Sequence, residues 1–84
     1  MSLDNITAEE AVRRMKRAED LLNDPLMDEA FEKADATFVG KWRNATTPEA
    51  REAAWHGMTG LAEARRVLRS IITDGEFAEH QTRE

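Results

Sequence analysis

The chain has 84 residues and a mass of 9.5 kDa, enough for one small domain, and 13 of its apolar residues are alanine, leaving only 21 larger apolar side chains for a core. Its 12 Lys+Arg and 17 Asp+Glu give a net charge of −5, which opposes binding to phosphate backbones as a main role. The absence of cysteine excludes disulfide and zinc-thiolate staples, and no apolar run approaches the roughly 20 residues of a membrane span.

Met1 to Thr7 has neither a basic nor an apolar leader pattern, so secretion is not expected. The first helix, about 8–23, begins with the capping box Thr7-Ala8-Glu9-Glu10. Ala8, Ala11, Val12, Met15, Ala18 and Leu22 follow on one face. Asp24-Pro25 then ends one helix and starts the next, with Asp24 as N-cap and Pro25 in the first helical position. The second helix, about 25–44, carries the stripe Met27, Ala30, Phe31, Ala34, Phe38 and Trp42. Asn44-Ala45-Thr46-Thr47 is a short turn whose glycosylation-like pattern is read as coincidence. Thr47 caps a third helix, about 48–74, with the stripe Ala50, Ala54, Gly57, Met58, Leu61, Ala64, Leu68 and Ile72. Asp74-Gly75 reads as its stop. Residues 76–84 are then a flexible tail, or a short turn around Phe77, beyond a single domain over 1–75.

These elements give an all-α fold: a long antiparallel hairpin (25–44 and 48–74) preceded by an N-terminal helix. Folding about the short turn sets Phe38 against Ala54, Ala34 against Met58, Phe31 against Leu61 and Met27 near Arg65. Large residues thereby meet small ones, as interdigitation requires. In this register Arg65 bridges to Asp28 at the hairpin's open end, or pairs with another chain. Gly57 and Gly60 each cost about 1 kcal/mol in a helix interior. Close helix approach explains them, with a break in the third helix as the alternative.

Few residues point to chemistry. Glu52 and His56 lie one turn apart but lack a third ligand, so no metal site and no cofactor are expected. Phosphate loops, nucleophile elbows and catalytic Ser/His/Asp sets are missing from the pattern, and an enzyme is not expected. The run Arg13, Arg14, Lys16 and Arg17 is the densest basic patch and the candidate nucleic-acid contact. Glu9, Glu10 and Asp20 stand at i,i+4 spacing to offset it. Arg65, Arg66 and Arg69 form a second basic cluster. Trp55 lies about 120° off the apolar stripe of its helix, and Val39 lies on the far side of the second helix. Either the first helix folds over Trp55 or a partner covers it.

Two blocks carry a family resemblance. Residues 18–31, Ala-Glu-Asp-Leu-Leu-Asn-Asp-Pro-Leu-Met-Asp-Glu-Ala-Phe, and the stretch from Leu68 through Ile71-Ile72-Thr73-Asp74-Gly75 to Glu79 are similar to small helical proteins encoded among the head and packaging genes of tailed bacteriophages and prophages. The resemblance implies a phage context and a non-enzymatic role in assembly or in the virion. It transfers no catalytic residue.

The function expected is protein–protein association, as a phage structural or assembly protein docking on a head, portal or neck component, or as a homo-oligomer. Its interface residues are Val39, Trp55, Met58 and Arg65, with Ala11, Met15, Ala18 and Leu22 making the first helix a docking arm. The alternatives are a packaging or regulatory factor that touches nucleic acid, and an inhibitor that mimics an acidic partner. The expected location is the virion or the host cytoplasm, with no membrane association.

Overall fold

The computed structural model describes residues 7–82. The leader reading on residues 1–6 and the end of the expected tail at 83–84 lie outside the described residues. Three helices account for 93% of what is described, and no strand is present among the described residues. They are α1 (Ala8–Asn23), α2 (Pro25–Asn44) and α3 (Pro48–Thr82). The all-α reading and the first two helix boundaries hold.

Each helix starts where the sequence places a cap. The Glu10 amide donates to Thr7 Oγ1 at 3.2 Å. Asp24, extended at φ −74° and ψ 120°, accepts from the Leu26 amide at 2.8 Å, with Pro25 next in line. The Ala50 amide donates to Thr47 Oγ1 at 3.1 Å. In each case a side-chain oxygen satisfies an amide that has no partner inside the helix.

The chain forms two compact units. The first joins α1 to α3 from Val67 onward; the second is Asp24–Arg66, which holds α2 and the first half of α3. In the first unit, Met15, Ala18 and Ala78 are buried and Ile71 and Ile72 half-buried. A Cβ placed on Gly75 would overlap the Met15 side chain and stand 2.8 Å from the Ala11 carbonyl oxygen. Hydrogen in place of Cβ is what lets α1 lie this close to α3.

That contact corrects the expected helix stop. Gly75 has no positive φ, so it does not act as a left-handed cap. It is buried within α3, and the helix continues through Glu76-Phe77-Ala78 to Thr82. The segment from residue 76 onward is therefore not a flexible tail as far as Thr82. Packing against α1 outweighs the local stop signal, and no proline follows to end the helix.

The second unit is the antiparallel hairpin, with its contacts displaced by one to two turns from the expected pairing. A Cβ on Gly57 would fall within the Phe38 ring, so Phe38 seats on Gly57, three residues beyond Ala54. Arg65 stacks on Phe31, its guanidinium 4.6 Å from the ring centroid, where Leu61 was expected. Its ion pair is with Asp35 at 2.8 Å, not with Asp28. All three shifts run the same way. Side chains lean toward the N-terminus of their own helix. In an antiparallel pair the α2 side chains therefore reach away from the turn, while those of α3 reach toward it.

Gly57 is thus explained by close approach and Gly60 is not. Nothing lies within 4 Å of a Cβ at Gly60 or at Gly40, and nothing in the structure explains a glycine at either position. The helix runs unbroken past both Gly57 and Gly60, so the expected alternative of a break is overturned. In urea unfolding followed by circular dichroism, Gly60→Ala should stabilise the chain by up to about 1 kcal/mol. Gly75→Ala should cost about 1–3 kcal/mol, because neither the Met15 stem nor the Ala11 backbone can yield cheaply. A neutral Gly75→Ala would contradict the close approach.

Candidate functional site

The turn end of the hairpin gathers most of the aromatic surface. Trp42 closes the α2 stripe two residues before the helix ends, and Trp55 stands two turns into α3. With Pro48, Arg51 and Glu52 they line a shallow open groove. Trp55 is 52% exposed and Trp42 42%. Trp42 was expected in the core. It fails to reach it because its stripe runs out beside the turn, where α3 is only beginning.

Cations lie on the aromatic faces here. The Arg51 guanidinium stands 6.0 Å from the Trp42 ring centroid, and the Lys41 ammonium 5.7 Å from that of Phe38. Contacts of this kind are worth about 0.5–1 kcal/mol at exposed sites. They leave the N–H donors free to meet an anion. Trp55 meets His56 edge-on, with centroids 5.3 Å apart and an interplanar angle of 64°. His56 Nε2 lies 3.6 Å from Glu52, with both side chains well exposed. No group of three or more metal-ligating side chains forms among the described residues.

The remaining expected interface residues divide between packing and surface. Met15 and Ala18 are buried, with Ala11 and Leu22 half-buried. Met15 and Ala18 thus pack α1 within the first unit, and Ala11 and Leu22 keep part of their surface open. Val39 and Met58 are half-buried on the hairpin. Arg65 is largely covered, fixed by Asp35 and Phe31 within its own unit, and so is not a free group for a second chain.

The basic run of α1 also departs from expectation. Arg13, Lys16 and Arg17 are exposed, while Arg14 is half-buried beside Ile71. None of the pairs expected with Glu9, Glu10 or Asp20 closes. Among the described residues, ion pairs join Glu29 to Lys33, Glu52 to His56, Asp35 to Arg65 and Glu63 to Arg66, and α1 has none. Exposed i,i+4 pairs bring only a few tenths of a kcal/mol, too little to hold long side chains in one geometry. The Glu63–Arg66 pair is tighter, with two hydrogen bonds of 2.9 and 2.6 Å. These bonds hold the Glu63 carboxyl below its ordinary range and raise Arg66 above its own.

Sequence reasoning missed Phe77 as a surface residue of a helix. It is 64% exposed and borders a groove whose apolar floor of Ala8, Ala11, Ile71 and Ala78 is edged by Arg14 and Asp74. Its spacing of three from Asp74 and four from Gln81 was visible, but the Asp-Gly stop signal masked it. Compared with known proteins, the chain matches no family model, no curated protein and no solved structure.

The Asp35–Arg65 pair is a test of the observed register. A double-mutant cycle with Asp35→Asn and Arg65→Met should give a coupling of about 1 kcal/mol, reduced by high salt, because both partners keep some exposure. A cycle pairing Asp28→Asn with Arg65→Met should give none. Coupling to Asp28 in place of Asp35 would restore the original register.

Proposed function

We propose that this chain is a non-enzymatic protein–protein association module. Its resemblance to small proteins of phage and prophage head and packaging regions makes a structural or assembly component the favoured form, docked on a head, portal or neck protein or on itself. The observation that carries this reading is the inversion of apolar investment. Among the described residues the buried apolar side chains are Met15 and three alanines, and no side chain falls below 2% exposure. Trp42, Trp55, Leu26 and Phe77 meanwhile remain substantially exposed. Covering the open halves of the two indoles would remove roughly 200 Å² of apolar surface from water, a gross gain of about 5 kcal/mol. Tryptophan and arginine together are the side chains on which interfaces most depend.

A tagged copy expressed in a lysogen that encodes the chain should sediment with assembled particles or with a head, portal or neck subassembly after induction. Trp55→Ala should reduce that recovery about tenfold if the indole anchors the contact. Recovery only as free chain, at the same level for both variants, would remove the assembly reading.

A second reading rests on the unpaired cations of α1. Arg13, Lys16 and Arg17 have no carboxylate partner among the described residues, which favours contact with phosphates, although the net charge of −5 opposes this. Binding of labelled single- or double-stranded DNA at low ionic strength, falling steeply with salt, would support it. No binding even at low salt would exclude it.

A further inference from the structure

We propose that the face formed by α1 and the later part of α3, within the first unit, is a self-complementary dimer surface whose occupant is the same face of a second copy. The proposal names one partner for the association reading and rests on it.

Two open grooves run end to end along this face. One is lined by Ala8, Ala11 and Phe77, the other by Leu21 and Leu68, and both by Arg14 and Ile71. Together they reach from Thr7 to Leu21 on α1 and from Leu68 to Gln81 on α3, roughly 20 Å at the helical rise. Arg14 on one wall and Asp74 on the other stand at the middle of that length. Both side chains are half-buried. Neither forms an ion pair among the described residues, with the other or with any third group. A charge held partly out of water without a partner is unfavourable. The face thus offers an occupant one cation and one carboxylate to pair.

The placement of the two charges singles out a second copy. A twofold axis through the middle of the face carries Arg14 over the partner's Asp74, and Asp74 beneath the partner's Arg14. Two ion pairs close at once. The same operation sets Ile71 over the partner's Ala11 and Leu68 over the partner's Ala8, large against small. Phe77 falls beside the partner's Arg17, whose alkyl stem covers ring surface while its charge stays in water. Four antiparallel helical segments then share one apolar layer, and the two charge pairs fix their register. An occupant carrying charge of one sign would leave either Arg14 or Asp74 unmatched. A face roughly 20 Å long and two helices wide is at the small end for an interface, so the dimer is a weak one.

Charge reversal tests the twofold directly. Neither Arg14 nor Asp74 pairs within the chain, so Arg14→Glu and Asp74→Arg should keep the helical circular dichroism. Light scattering on a sizing column should show the parent chain passing from monomer to dimer between micromolar and millimolar concentration, less readily as salt is added. Each variant alone sets like charges opposite each other and should dimerise about tenfold more weakly or worse. An equimolar mixture of the two should recover a heterodimer, because each then meets opposite charges at both places. Phe77→Ala should weaken the dimer about tenfold without touching either charge, and its result decides the matter if a reversal costs helicity. A parent chain that stays monomeric throughout would overturn the proposal. So would a dimer indifferent to these substitutions, or a loss on charge reversal that mixing does not rescue. A monomer that still sediments with phage particles would end this proposal and leave the association reading standing.

Discussion

Two large side chains approach α3 so closely that each needs a hole in it. Phe38 finds its hole at Gly57, and Met15 finds its own at Gly75. These two positions set helix separation within each unit, and the rest of the packing follows from them. With α2 seated on Gly57, Arg65 stacks on Phe31 and pairs with Asp35. With α1 seated on Gly75, α3 has a reason to remain helical through Ala78, a residue that becomes buried.

Close approach through glycines has a consequence for function. Side chains seated in glycine gaps leave little interior volume, and among the described residues the buried apolar side chains are three alanines and one methionine. The larger apolar residues are pushed to rims, ends and outer faces. A chain of this size usually falls short of a self-sufficient core. Here the shortfall is matched by aromatic surface left open, mostly at the turn end of the hairpin. Arg51 lies on the Trp42 ring there with no carboxylate partner among the described residues.

Much of the fold is legible in the sequence, and its limits have physical causes. The three helix starts were readable because Thr7, Asp24 and Thr47 act locally, through hydrogen bonds spanning two or three residues. The stripe of α1 was readable because periodicity reports which face is buried. Register was not, since periodicity does not encode the lean of side chains that moves Phe38 from Ala54 to Gly57. The end of α3 was misjudged because Asp74-Gly75 has the chemistry of a stop, and only a neighbouring helix shows why the glycine is there. Trp55 was legible as an off-stripe residue. Trp42 was not, because nothing in the stripe reveals that α3 is only starting opposite it. The cations at the corner gained meaning only once Arg51 and Lys41 were placed on their rings.

The two tryptophans of the chain both stand at the corner, so their fluorescence reports directly on whether a partner covers it. The most direct measurement is acrylamide quenching of that fluorescence, in chain labelled with hydroxytryptophan, before and after assembled phage particles are added. Covering of the corner predicts that quenching falls on binding. Quenching that the particles leave unchanged would contradict it.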